Sequence, residues 1–177
     1  MTPEVLRQVM EDLIPFNRFL GVKLTAVRKG FARLEVPFRE ELVGDPMRPA
    51  LHGGVLSALG DAAGGAAVWA GIDDDNARIS TIDLRIDYLR PARLVTLVAE
   101  ATVVRVGNRV GVADVRIFNA DEPGAAETVA TVKAVYNVTI KKDYRIAPPD
   151  KTPDKDAPDE ADAADAAAPD PKSPSFP

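Results

Sequence analysis

The stretch 50-ALHGGVLSALGDAAGGAAVWAG-71 holds the only histidine of the chain, His52, and a single carboxylate, Asp61, set among small apolar residues. From about His52 to Ala70 it lacks proline and is rich in Ala, Leu and Val, which predicts a mostly buried helix whose internal glycines weaken its straightness. Such a helix is apolar almost all round and needs a wrapper. The flanking sequence supplies one.

Upstream, PEVLRQVMEDLIPF places Val5, Leu6, Val9, Leu13 and Ile14 at helical spacing with Pro3 near the start, predicting a short amphipathic helix. Two strand-like runs, 22–30 and 31–38, meet at Lys29-Gly30, a hairpin turn, and the polar segment 39–50 reads as a loop. Downstream of 73-DDDN-76 come four further strand-like runs, 80–90, 94–107, 109–120 and 127–142. In the first of these, Ile82, Leu84, Ile86 and Tyr88 alternate with Asp83, Arg85 and Asp87, the mark of a strand with one buried face. Pro91, Gly107-Asn108 and Asp121–Gly124 punctuate the runs as turns. Helix, two strands, long helix, four strands: this order predicts an α+β domain, one curved antiparallel sheet wrapped around a central helix, plus a short N-terminal helix.

The domain is expected over residues 1–146. Beyond it, 147–177 is Pro, Ala and Asp with no periodic apolar face, and reads as a disordered acidic tail. That tail carries eight acidic and three basic side chains, the whole of the formal charge of −5, so the body is neutral. Neutrality without a basic cluster argues against nucleic acid, because phosphate binding needs concentrated Lys and Arg. The N-terminus has neither the apolar run of a signal peptide nor a membrane span, so a cytoplasmic protein with no membrane contact is expected. The absence of cysteine excludes disulfides, thiolate zinc sites and a cysteine nucleophile. With one histidine and no cysteine, no metal site is expected, and no GxSxG elbow or Walker-type loop occurs, so no cofactor is implied.

The element order, together with LHGGVLSALGDAAGG, then TIDLRIDYLRPA and RVGNR, resembles the hotdog-fold acyl-CoA thioesterases, in particular the phenylacetate-pathway and 4-hydroxybenzoyl-CoA type. The resemblance covers about residues 10–140 and rests on HGG with an aspartate nine positions after the histidine, followed by the strand ending in Arg90-Pro91. It implies hydrolysis of acyl- or aroyl-CoA thioesters by a homodimer, often a dimer of dimers, with active sites between paired chains. It also implies site roles. The Gly53 amide polarises the thioester carbonyl, His52 and Gly54 shape that end of the site, Asp61 is nucleophile or general base, and the Thr81 hydroxyl orients the attacking water. Arg90, Pro91, Arg105, Gly107, Asn108 and Arg109 fall where relatives bind the phosphates or pantetheine arm of CoA. Relatives commonly carry an asparagine six residues before the histidine, where this chain has Pro46.

The chemistry suits these residue types. Thioester hydrolysis needs a donor for the developing oxyanion and a carboxylate that attacks or activates water. A helix N-terminus offers free N–H groups and a positive dipole end, and glycine lets a carbonyl approach it closely. Nine residues of helix put His52 and Asp61 about 13 Å apart on opposite faces, too far for one carbon atom. Two antiparallel helices across a two-fold axis would pair the Gly53 end of one with Asp61 of the other. The small residues Gly60, Ala62, Ala63, Gly64 and Gly65 are then expected to admit the second chain and the acyl group, while Val68, Trp69 and Ile72 read as acyl-pocket wall, core or interface.

Each residue has a plainer reading. Asp61 on a solvated helix side, His52 as a structural group, Thr81 as a good strand former and the arginines as solvated strand ends are the ordinary roles of such residues. A hotdog protein that binds acyl-CoA without cleaving it is the main alternative, motivated by Pro46. Hydratase chemistry on the same fold needs an aspartate and histidine close together in a D-x-N-P-x-H loop, and GDPMRPALH separates Asp45 from His52 by seven.

Overall fold

The structure is a computed structural model, and it describes residues 2–45, 47–74, 76–120 and 127–140. The acidic tail expected at 147–177, the turn expected at Asp121–Gly124 and Pro46 lie outside the described residues.

Helix α3 (Gly53–Ala70) forms within one residue of expectation, with His52 as its N-cap. Around it curves a six-stranded sheet built from β1 (Lys23–Arg28), β2 (Phe31–Val36), β5 (Ala77–Tyr88), β6 (Leu97–Val106), β7 (Val110–Asn119) and β8 (Thr128–Ile140). The order across the sheet is β1-β2-β6-β7-β8-β5 and every neighbouring pair is antiparallel. The hairpin at Lys29-Gly30 is present, and Gly30 takes φ +71°, a conformation that strains any residue with a Cβ. The loop expected over 39–50 holds a 3-10 turn (Glu40–Leu42) and a small ribbon, β3 (Val43–Asp45) with β4 (Ala50–Leu51).

The helix lies on the sheet through its small residues. A Cβ on Gly60 would sit 2.7 Å from Val132 Cγ2, and one on Gly64 would overlap the Tyr136 hydroxyl. Leu59, Ala63, Ala67 and Val68 are fully buried in the same contact. This corrects the expectation that Gly60, Ala63 and Gly64 admit a second chain: their smallness serves the approach of their own sheet. Val68 likewise belongs to the core, where it occupies the place that a side chain on Gly111 would take.

The N-terminal helix departs further from expectation. It comprises α1 (Pro3–Gln8) and a π-helical turn (Val9–Leu13), and a separate helix α2 (Pro15–Leu20) follows. Pro15 has no N–H to continue the ladder and pushes Ile14 into extended backbone, so the helix stops and restarts there. The buried face becomes Leu6, Val9 and Met10, while Val5 is exposed.

Strand β5 contains the other correction. Its register against β8 runs Thr81 to Tyr136 and then Asp83 to Val135, a bulge that leaves Ile82 as the extra residue. The simple alternation expected Ile82 on the core face, but the bulge leaves it 58% exposed and places Thr81 toward α3 instead.

Candidate active site

At the start of α3, the imidazole Nδ1 of His52 accepts a hydrogen bond from the Gly54 amide at 2.9 Å. A nitrogen that accepts carries no proton, so the cap requires neutral histidine. A Cβ on Gly54 would stand 2.9 Å from that same Nδ1, which is why glycine occupies the position. With Gly54 capped, the Gly53 amide remains as a helix-end N–H with no partner among the described residues. Its carbonyl is held firmly. The hydroxyls of Tyr88 and Ser57 lie 3.1 Å and 3.2 Å from it and 2.7 Å from each other.

Two turns along the helix, Asp61 is half-buried and accepts a hydrogen bond from the Thr81 hydroxyl at 2.8 Å. That bond uses the only proton of Thr81, so toward a water the hydroxyl can act only as acceptor. The main-chain carbonyl of Asp61 accepts from the buried Tyr136 hydroxyl, also at 2.8 Å. Burial first, and then the negative charge of Asp61, push the Tyr136 phenol far above its ordinary range, so it stays a donor.

The Asp61 side chain borders a cleft of about 290 Å³. One wall is the α3 strip Ala58, Ala62, Gly65, Ala66 and Trp69, and the facing wall is Met10, Ile14, Phe16 and Asn17 from the N-terminal segment. Ile79, Ser80, Thr81 and Tyr136 complete it. Apart from Asp61 and a few polar neighbours the lining is apolar, the character of a small-molecule site.

The expected site residues fall into three places along one chain. His52, Gly53, Gly54, Arg90 and Pro91 share the end of the sheet where α3 begins. There Arg90 is tied down, its Nη1 donating to the Thr128 carbonyl at 3.1 Å and its Nη2 pairing with Glu127 at 3.2 Å. Asp61 and Thr81 meet at mid-helix. Arg105, at the end of β6, adjoins the β6–β7 turn formed by Gly107, Asn108 and Arg109, which binds β8 near Val138, about 26 Å along that strand from Ala130 beside Tyr88. Within one chain, then, Asp61 and Thr81 come together. Gly53 stays about 12 Å up the helix from Asp61, and the turn arginines lie at the far end. Of the three residues expected at the acyl pocket, Trp69 lines the cleft and Ile72 does not.

Several site residues had no sequence motif to announce them. Tyr88 and Tyr136 read as ordinary alternating strand residues, Ser57 as a helix residue, and Asn17 fell in a segment with no predicted element. For Tyr136 a signal existed, since a buried phenol seeks a partner and the polar groups nearest its strand are on the helix.

Among the described residues no helix is long and apolar enough to cross a membrane. Residues 49–126 match the model of the thioesterase superfamily. The chain is 40% identical over 130 residues to a protein of Salmonella typhimurium named medium/long-chain acyl-CoA thioesterase YigI, covering 67% of this chain and 84% of that one. It is 37% identical over 111 residues to 1,4-dihydroxy-2-naphthoyl-CoA thioesterase 2 of Arabidopsis thaliana, covering 62% and 66%. Among solved structures, a Shewanella oneidensis protein described as related to the thioesterase superfamily superposes with a TM-score of 0.69 at 27% identity, over 77% of this chain and 94% of that one. The wrapped central helix, the HGG cap and the match across the Asp61 strip agree: this chain belongs to the thioesterase superfamily and has its hotdog fold.

Proposed function

We propose that the protein hydrolyses acyl-CoA thioesters to free acid and CoA, with a preference for medium or long acyl chains. The observation that carries this reading is the Asp61 carboxylate, steadied by Thr81 and opening into an apolar cleft. Similarity to the YigI relatives supplies the acyl class. The apolar walls of the cleft suit a hydrocarbon chain.

In this mechanism the acyl group lies along the Ala58–Trp69 strip with its carbonyl carbon at Asp61. Asp61 either attacks that carbon or takes a proton from a water that does. The negative charge gathered on the carbonyl oxygen is met by a Gly53 amide. Collapse breaks the C–S bond, and CoA leaves as the thiolate and takes up a proton. Direct attack would leave an anhydride on Asp61 that a water then opens.

The Gly53 amide comes from a second copy. Strand β5 is a twelve-residue edge strand whose outer side has no neighbour among the described strands, and it exposes Ile82 and Tyr88, with Leu89 just beyond its end. A long unpaired edge invites a partner strand, and a second β5 is its natural complement. Antiparallel pairing sets the Gly53 and Arg90 end of one chain beside the Asp61 cleft and the 107–109 turn of the other. The residues scattered in one chain thereby form two composite sites, with Arg105 and Arg109 placed for the CoA phosphates and Arg90, held by the Thr128 carbonyl and Glu127, beside the Gly53 end. In this reading residues 1–146 are the catalytic domain, 147–177 a tail outside it, and the protein works in the cytoplasm.

Thiol release from short-, medium- and long-chain and aromatic CoA esters, followed with a chromogenic thiol reagent, tests the proposal. The protein contributes no thiol of its own. Asp61→Asn is expected to lower kcat by about 10²–10⁴-fold while leaving the dimer intact by size-exclusion chromatography. Tight binding of CoA esters without turnover by the wild type would overturn it in favour of a binding protein.

A further inference from the structure

Two asparagines are buried among the described residues, and they differ in one respect. Asn119 accepts a hydrogen bond from the Arg93 amide at 3.1 Å through its side-chain oxygen. Asn17, only 7% exposed, makes no side-chain hydrogen bond among the described residues. A buried side-chain amide with no protein partner calls for an explanation.

Its position supplies one. The fully enclosed side-chain nitrogens or oxygens without partners are Arg39 Nε and Trp69 Nε1, and the Asn17 amide is not among them. The Asn17 side chain keeps a slight exposure, and the residue lines the cleft of Asp61, Thr81 and Tyr136. Its neighbours on that wall, Met10, Ile14 and Phe16, offer no side-chain hydrogen-bond donor. Proline placement fixes where it sits. Pro15 restarts the helix, and the Asn17 carbonyl is then bound by the Val22 amide at 3.0 Å, which anchors the backbone of this residue to the start of the sheet.

We propose that the Asn17 carboxamide is a substrate-contacting residue of this site, its N–H donating to the acyl carbonyl oxygen as negative charge develops there. The inference rests on the thioesterase reading and adds to it a donor from the same chain as Asp61, opposite the helix. A fixed donor in an apolar-walled cleft is worth more to the developing oxyanion than to the neutral carbonyl. The signature is therefore in kcat rather than in KM.

Asn17→Leu separates this role from a structural one, since leucine has nearly the same shape and removes the unpaired amide. The expected result is a melting temperature equal to or above that of the wild type, kcat lowered about 10–10³-fold, and KM within about threefold. Asn17→Gln, which keeps the N–H donors, is expected to recover part of the loss. Should the leucine variant fail to fold, Asn17→Ala, which also removes the N–H donors and adds no charge, carries the same expectation for kcat and KM. Asp61→Asn is assayed beside them. If it loses turnover while the Asn17 variants stay within twofold of wild type, this inference is overturned and the thioesterase reading stands. A raised KM at unchanged kcat also overturns it. No turnover by the wild type on any CoA ester overturns both.

Discussion

The two flanks of α3 are built from the same small residues and use them in opposite ways. On the flank toward β6, β7 and β8, Gly60, Ala63, Gly64 and Ala67 bring backbone and sheet together so closely that a methyl group on either glycine would collide. On the flank toward β5 and the N-terminal segment, Ala58, Ala62, Gly65 and Ala66 line a cleft, and Asp61 borders it. A small residue is thus a packing device when the opposing surface is present and a void when it is held away. What holds it away is the bulged strand β5 and the interrupted N-terminal helix. The same two irregularities bring Thr81 to Asp61 and Asn17 to the opposite wall.

The largest effect that would sharpen this contrast is at Thr81. Thr81→Val keeps the β-branched shape and deletes the hydroxyl that donates to Asp61. A hydrogen bond to a charged group is worth about 1.5–3 kcal/mol, so kcat is expected to fall about 10–100-fold if that bond sets the position of the carboxylate. Steady-state kinetics of the purified variant, with circular dichroism to verify the fold, measures this. Activity within twofold of wild type would mean that Asp61 is placed by the helix alone.

A pair of glycines tests the two flanks against each other. In an open helix Gly→Ala stabilises by about 1 kcal/mol. At Gly60 the new methyl would lie 2.7 Å from Val132 Cγ2, so overpacking reverses the sign, and Gly60→Ala is expected to destabilise by about 1–3 kcal/mol. At Gly65 the nearest atom would be Tyr136 Cε1 at 3.5 Å, an ordinary contact, and Gly65→Ala is expected to keep or gain stability while narrowing the cleft. Urea titrations of both variants decide it, and equal losses would erase the difference between the flanks.

The regular parts of this molecule were legible in the sequence, and the irregular parts were not. Hydrophobic periodicity sees a helix or a strand by its repeat, so α3 and the six long strands follow from it. A π turn at Val9–Leu13 and a bulge at Ile82 are defects in the repeat, set by tertiary contacts that no window of sequence contains. The helix cap was legible because His52, Gly53 and Gly54 are contiguous. Thr81 was named through the family resemblance, but its bond to Asp61 depends on the bulge. The polar partners Ser57, Tyr88, Tyr136 and Asn17 are brought in by long-range packing, and their residue types alone carry no address.

The closed flank makes one more measurable statement, through Tyr136. Its hydroxyl donates to the Asp61 carbonyl where Gly64 leaves room, and burial together with the Asp61 charge raises its pKa from an ordinary 10.0 to far above it. A group whose folded pKa is raised binds its proton more tightly in the native state. Its contribution to stability is fully present below pH 10 and is lost as pH rises past the point where the unfolded chain releases that proton. At pH 11 the wild type should therefore have lost about 1.4 kcal/mol of stability that Tyr136→Phe, which has no phenol to ionise, does not lose. At pH 8 the wild type is the more stable of the two, because phenylalanine forgoes a hydrogen bond worth about 0.5–1.5 kcal/mol. Urea midpoints for the two proteins at pH 8 and pH 11 thus converge or cross. Parallel pH profiles would mean that the phenol ionises in the folded protein as freely as in water, and that this flank is open to solvent as the cleft is.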